Sequence, residues 1–155
     1  MPQSNFAAQV SAFAAKTNER MTAVFRESAE RVISDMQTPV GAGGNMPVDT
    51  GYLRSSMMVT NGSPAPMDRP NPNPQGSFSY SGEGVTMTIQ GAKIGDKLFA
   101  CYTANYAAAV NYGSRGRQPR QFVEMAAQKW PAIVAQACQD LQTGVQSSSG
   151  TTPGS

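Results

Sequence analysis

The segment from Ser4 to Met36 most constrains the fold, because its apolar residues recur at steps of three and four. Charged residues fall mostly between them, so the pattern predicts one amphipathic helix, which Pro39 and the glycines after it end. At ~1.5 Å per residue such a helix is about 50 Å long, longer than a small sheet is wide. We therefore expect part of its apolar stripe to meet a second subunit. The stripe comprises Phe6, Val10, Phe13, Met21, Val24, Phe25, Val32, Ile33 and Met36.

Composition narrows the classes of function. A chain of 155 residues predicts one domain at 1–143, followed by a flexible tail at 144–155 that is rich in Ser, Gly and Thr. The chain has no histidine, the commonest general base and metal ligand, so we expect no catalytic residue, cofactor or metal.

A net charge of +2 is too small to indicate nucleic-acid binding by itself. No apolar run approaches the ~20 residues of a membrane span, and no signal peptide is recognisable, so we expect cytoplasmic synthesis and no membrane partner.

The middle of the chain reads as short strands around a long loop. "SMMVTNG" and "KLFACYTA" predict strands, and "FSYSGEGVTMTIQG" predicts another because Val85, Met87 and Ile89 alternate. The loop at 63–76 holds five prolines, so it can be neither helix nor central strand.

A second helix is predicted from about Arg120 to Gln142. Pro131 should kink it, and Trp130 falls in its buried stripe. The element order predicts an α+β fold, with the long N-terminal helix and the C-terminal helix packed on one face of a small antiparallel sheet.

The stretch "NMPVDTGYLRSSM" places an acid and a base close together. Asp49 and Arg54 could be a catalytic carboxylate and a substrate clamp, or they could fix a corner of the fold. An Asp before Thr-Gly is typical of a helix start, and no second carboxylate lies near it in sequence, so we favour the corner. Asp49 then caps a short helix, Gly51 allows close backbone packing and Leu53 enters the core. Arg54 is the member that we expect to reach another chain.

Three arginines form a basic loop after a short helix predicted at 105–113. Arg115, Arg117 and Arg120 can contact DNA phosphates, or they can be solvated or pair with a neighbouring subunit. No helix-turn-helix pattern accompanies them, so incidental contact with DNA backbone is favoured over specific recognition. A small DNA-binding packaging accessory protein remains an alternative function.

Two blocks of sequence carry a resemblance. "PVDTGYLRSSM", followed at a distance by "YAAAVNYGSRGRQPRQFVEMAAQKW", resembles the tail-completion or head–tail-joining family of long-tailed phages, also described as minor tail protein Z-like. The resemblance covers roughly residues 4–142. One departure is Asn111, where the family has an acidic residue. The matching motif positions are Pro47, Asp49, Thr50, Gly51, Leu53, Arg54, Tyr106, Val110 and Gly113.

The resemblance implies a structural virion protein rather than an enzyme. Such proteins complete the tail and join it to the head at the neck, typically as a ring of six copies around the DNA channel. The implied partners are further copies, the head-completion or stopper protein, the tail terminator and the tail tube, with non-specific contact to double-stranded DNA. Assembly would take place in the host cytoplasm, through the helix at 4–36 and the loops at 63–76 and 113–120. The tail terminator, which occupies a neighbouring ring with a related fold, is the alternative within this class.

Overall fold

A computed structural model describes the backbone of residues 2–149 and the side chains of residues 6–143. The predicted α+β class is confirmed, with helices packing on a two-stranded antiparallel sheet. No helix in the described part of the chain is both long enough and apolar enough to cross a membrane. The elements in order are α1 (Pro2–Gln37), a 3₁₀ turn (Val40–Ala42), α2 (Tyr52–Ser55), β1 (Met57–Asn61), α3 (Glu83–Gln90), β2 (Leu98–Tyr102), α4 (Ala107–Tyr112), α5 (Phe122–Gln128) and α6 (Trp130–Ser149).

The sheet pairs β1 with β2, the two strands predicted on either side of the loop and α3. Met57 lies opposite Tyr102, and Asn61 lies opposite Leu98. The Tyr102 ring meets Phe122 of α5 edge-on, with ring centroids 5.0 Å apart, and this contact joins the sheet to the helical layer. The core around this contact consists of buried residues from helices α1 to α5, both strands and the segments between them: Ala29, Ile33, Met36, Met46, Leu53, Met57, Val59, Val85, Ile89, Tyr102, Ala104, Ala107, Phe122 and Ala126.

The two halves of α1 have different surroundings. Its C-terminal half packs against α3, α5 and α6, and ion pairs from Arg31 to Asp140 (2.8 Å) and from Lys129 to Asp35 (2.9 Å) border the α1–α6 contact. From residue 6 to residue 21 almost every side chain is exposed, and we call this segment the exposed half of α1. Only the C-terminal half of the predicted apolar stripe is therefore covered within the described chain.

The predicted strand through Val85, Met87 and Ile89 is wrong, because this segment is the helix α3. In a strand all three side chains would lie on one face. Val85 and Ile89 are buried, whereas Met87 is 76% exposed, which is the pattern of a helix with i, i+4 spacing. Val85 and Ile89 are four residues apart, so they fit the period of a helix as well as that of a strand. Met87 lies midway between them and fits only a strand, and for this reason the prediction from the sequence was wrong.

The predicted C-terminal helix is divided in two. It breaks at Lys129 between α5 and α6, just before Pro131, whose missing N–H is best tolerated in the first turn of a new helix. Trp130 stands at this junction and is 37% exposed, so its predicted place in the core is wrong. Helix α6 continues to Ser149, beyond the predicted end at Gln142, and so includes the first part of the predicted tail. The rest of that tail, 150–155, lies outside the described residues.

The proline-rich loop at 63–76 is mostly exposed, as predicted, but it is fixed to the fold near its middle. The Arg69 amide donates to the Thr103 carbonyl (2.9 Å), and the Asn105 amide donates to the Arg69 carbonyl (2.8 Å). These two bonds hold the loop beside the chain that leaves β2, which brings it to the site described next.

Candidate functional site

The two sequence blocks meet around one open cleft of about 830 Å³. Asn71 and Pro74 of the proline-rich loop close one side of it. The cleft thus brings together most of the predicted site residues, including two of the three loop arginines. Those that line it are Pro47, Asp49, Thr50, Gly51, Leu53, Tyr106, Val110, Arg117 and Arg120.

Gly51 allows the loop that returns from the prolines to lie directly against the first block. Its φ of 84° is in the left-handed region, and a Cβ at this position would collide with the Phe78 carbonyl oxygen. The Phe78 amide donates to the Thr50 carbonyl (2.8 Å), and the Phe78 ring packs edge-on against Tyr52. This close backbone approach, together with the burial of Leu53, agrees with the roles predicted for these residues.

The predicted helix cap is assigned to a different residue by the structure. Helix α2 begins at Tyr52 rather than at Thr50, so the cap position falls on Gly51, which has no side chain. The Thr50 hydroxyl accepts a hydrogen bond from the Tyr52 amide (3.3 Å) and lies 3.5 Å from the Asn71 side-chain amide. Asp49 is exposed and lines the cleft instead.

Tyr106 joins the second block to the first. Its ring lies 6.3 Å from that of Tyr52, centroid to centroid. Burial raises the pKa of Tyr106, and the nearby Tyr52 raises it further, so the hydroxyl is neutral at neutral pH. The cleft wall is therefore built from both blocks.

Asn111 holds the start of α5 against α4. Its side-chain amide donates to both carboxylate oxygens of Glu124 (2.9 and 2.8 Å), and its oxygen accepts from the Val123 amide (3.2 Å). An acidic residue here would face the Glu124 carboxylate without a proton to share. The departure from the family pattern at this position thus has a local physical reason.

Gly113 ends α4, as predicted, with a φ of 84° and a ψ of 155°. A Cβ here would lie 2.8 Å from the Arg117 carbonyl oxygen, so the turn into the basic loop leaves no room for one. The Arg120 amide donates to the Val110 carbonyl (3.1 Å), which fixes the other end of the loop. The backbone of this loop is therefore anchored at both ends.

The charges of the basic loop remain at the surface. Arg115, Arg117 and Arg120 are exposed, and none of the three forms an ion pair with the described residues. Arg117 and Arg120 border the cleft, whereas Arg115, with a φ of 48°, does not line it. The rim of the cleft is positive on this side.

Arg54 lies away from the cleft and joins α2 to the end of α1. Its Nε donates to the Gln37 carbonyl (2.8 Å), and the Gln37 side-chain amide donates to the Arg54 carbonyl (2.9 Å). The Tyr102 hydroxyl donates to the Gln37 Oε1 (2.8 Å), and the guanidinium stands 5.5 Å from the Tyr80 ring centroid. These contacts are within one chain, and the predicted reach of Arg54 to another chain stays a prediction.

Gln37 is the residue of this network that sequence reasoning missed. It is almost fully buried, and burial raises the pKa of its partner Tyr102 far above the ordinary tyrosine value. The signal was present, because Gln37 is a polar residue next to the last member of the apolar stripe of α1. A polar side chain on a buried helix face must find hydrogen-bond partners.

The cleft has the character of a binding surface. Its walls carry aromatic and aliphatic side chains, with one carboxylate, Asp49, and two guanidinium groups at the edge. In the described part of the chain, no three Cys, Asp or Glu side chains lie close enough to share a metal ion. Comparison with protein-family models, with curated proteins and with solved structures finds no match to this chain.

Proposed function

We propose that this protein is a structural component of the neck of a tailed phage, where it completes the tail and joins it to the head. The observation that carries the proposal is the packing of the two resembling blocks, Pro47 to Ser56 and Tyr106 to Gly113, around one cleft. Two short chance matches would have no reason to pack together, whereas motifs of a shared fold would.

The exposed half of α1 supports an assembling role. Phe6 and Phe13 are 70% and 71% exposed in the half of the helix that no described element covers. Contiguous exposed apolar surface of this kind marks an interaction site. In the proposed neck, copies form a ring of six around the DNA channel and contact the stopper, the terminator and the tail tube, without turnover of any substrate.

The test is deletion of the gene from the parent phage, followed by electron microscopy of lysates. We expect DNA-filled heads and finished tails that lie unjoined, and we expect the same gene supplied in trans to restore particles. Intact infectious particles would refute a neck role. Heads with tails of irregular length would instead identify a tail terminator.

The exposed arginines favour one second candidate, the small DNA-binding packaging accessory protein. In the neck Arg115, Arg117 and Arg120 would touch passing DNA weakly, whereas in the accessory protein they would be the main contact. The triple Arg→Ala variant separates the two. An accessory protein would lose affinity for duplex DNA, and the slope of its binding constant against salt concentration would fall by the equivalent of about three phosphate contacts. It would also no longer complement the deletion. A neck protein would keep complementing.

A further inference from the structure

The end of β1 carries the single Asn-Gly pair of the sequence, Asn61-Gly62, and both residues are exposed. The backbone nitrogen that follows an asparagine can attack the carbonyl carbon of the asparagine side chain. Glycine in that place obstructs the attack least, because it has no side chain. Every other asparagine of the chain is followed by a larger residue or by proline, which has no N–H. Asn61 is therefore the asparagine of this chain that is most susceptible to deamidation.

Asp96 holds the side-chain amide of Asn61 in the folded protein. The Asn61 Nδ2 donates to the Asp96 Oδ2 (3.0 Å), and the same oxygen accepts from the Lys93 amide (2.9 Å). The Lys93 amide, followed by the Asn61 side chain, lowers the pKa of Asp96, so the acceptor is a carboxylate at neutral pH. The group that leaves during deamidation is thus held by a charged acceptor.

The attacking nitrogen is held as well. The Gly62 amide donates to the Lys97 carbonyl (2.9 Å), and Asn61 lies opposite Leu98 in the sheet. Attack on the Asn61 Cγ requires the Gly62 nitrogen to turn toward the side chain, which breaks this bond and unpairs the last residue of β1. Such local openings at the end of an element are more frequent than unfolding of the whole protein.

We propose that Asn61 is a site of spontaneous deamidation and that Asp96 restrains it as a positioning residue. When the end of β1 opens, the Gly62 nitrogen loses its proton to solvent and bonds to the Asn61 Cγ. The Cγ–Nδ2 bond breaks, and the side-chain nitrogen leaves as ammonia.

Solvent water then opens the cyclic imide. If the bond from the Gly62 nitrogen to the Asn61 Cγ breaks, the product is aspartate. If the bond from that nitrogen to the backbone carbonyl carbon of residue 61 breaks, the product is isoaspartate. In both cases the protein takes up one water molecule, releases one ammonia and gains one negative charge at neutral pH.

The product removes the contact that restrained the reaction. An aspartate at position 61 has no side-chain N–H to donate, and it sets a second carboxylate beside Asp96, which is unfavourable. An isoaspartate adds a methylene group to the backbone where residue 61 pairs with Leu98. Either product weakens the connection between β1 and the turn at 92–97.

The turn at 92–97 also contacts α1. The Ile94 amide donates to the Thr22 hydroxyl (3.1 Å), and the Arg26 Nε donates to the Ala92 carbonyl (2.7 Å). Thr22 is the first residue after the exposed half of α1, so these bonds lie where the covered half begins. Deamidation of Asn61 therefore loosens the turn that contacts α1 at this boundary.

The test follows the full chain at neutral pH by peptide mass spectrometry, because replacement of the side-chain NH2 by OH raises the mass of a peptide. We expect Asn61 to convert. Asn105 and Asn111, each followed by tyrosine, should stay unchanged in the same digest. Protein unfolded in urea gives the rate without folded contacts, and it should convert at least about tenfold faster than folded protein.

Variants of Asp96 test the restraint. Asp96→Ala removes the acceptor and should raise the rate in folded protein about three- to tenfold without changing the rate in urea. Asp96→Asn keeps a side-chain oxygen that accepts hydrogen bonds, so its rate should stay close to that of the parent. Asp68→Ala, at an exposed aspartate of the proline-rich loop, is the control and should convert like the parent. Circular dichroism should give all three variants the parent spectrum.

A stability measurement tests the effect of the product. Asn61→Asp should lower the equilibrium constant for folding about three- to tenfold in urea unfolding, because two carboxylates then face each other. Adding Asp96→Asn should restore most of it, since one amide again faces one carboxylate. An Asn61→Asp variant as stable as the parent would refute the loosening.

Three outcomes would overturn the site or its restraint. An unchanged Asn61 in urea would mean that it does not deamidate. Equal rates for the parent and Asp96→Ala in folded protein would mean that Asp96 does not restrain the reaction. Absence of conversion in folded Asp96→Ala, over a time in which the urea sample converts, would mean that the end of β1 does not open.

Discussion

At Gly51 two separate requirements exclude a side chain, and they can be measured separately. We expect Gly51→Ala to lower the free energy of unfolding by about 3 kcal/mol, of which ~1–2 comes from the left-handed backbone and the rest from displacing the Phe78 carbonyl. The matched control is Gly62→Ala, where φ is 103° and no atom lies within 4 Å of the new methyl group. It should lose only the backbone part. Urea unfolding that gives equal losses would contradict the close packing at Gly51.

Asn111 and Glu124 form a matched pair, so an acid at 111 should be unfavourable in this chain. We expect Asn111→Asp to cost about 2 kcal/mol at neutral pH, because it removes a donor and sets two carboxylates side by side. Adding Glu124→Gln restores a donor opposite the new acid and should recover most of the loss. A double-variant cycle by urea unfolding measures this coupling. Additive losses would mean that positions 111 and 124 are not coupled.

At the scale of elements, α3 offers the sharpest check of helix against strand. Ile89 is fully buried and Met87 is exposed, although both would share a face in a strand. Ile89→Ala should lower the free energy of unfolding by about 2–5 kcal/mol, whereas Met87→Ala should change it by less than about 0.5 kcal/mol. Thermal or urea unfolding of the two variants is sufficient, and similar losses would favour the strand.

The elements differ in how far the sequence could predict them. Helix α1 was predictable because its period is repeated over many turns, and β1 and β2 because their apolar runs are bounded by turn residues. Helix α3 was not, since Val85 and Ile89, four residues apart, fit both a helix and a strand, and Met87 between them completes the pattern of a strand. The break at Lys129 followed from Pro131, but the exposure of Trp130 did not, because it depends on how two helices meet.

The residues that form the cleft were harder to predict from the sequence than the helices and strands. Its residues come from three separate stretches of the chain, and no pattern in the sequence predicted that these stretches would meet. Asn71 and Pro74 were read as loop, with no signal that they would face Thr50. Gln37 lies just beyond the predicted helix, which was expected to end at about Met36. Long-range contacts of this kind are decided by packing, and no local pattern in one sequence encodes them.

For the whole molecule, the division of α1 into two halves should appear in amide hydrogen exchange. The C-terminal half is held by α3, α5 and α6, so the amides of residues 28–37 should exchange at rates close to those of global unfolding. The exposed half has no packing partner in the described chain, and an unpacked helix of this length is marginal in water. Its amides at residues 6–20 should exchange much faster in dilute protein and become protected on association. Equal protection of both halves in the monomer would contradict this division.

Helix α1 is made first, and the helices that cover its inner face are made last. Gln37 and Phe122 are separated by a stretch that a ribosome needs roughly 4–17 s to translate. During that interval the C-terminal half of α1 lacks its partners α5 and α6. The cleft cannot exist either, because its walls need Tyr106 and Val110. Until α5 and α6 have been translated, the inner face of this half is therefore without the two helices that cover most of it.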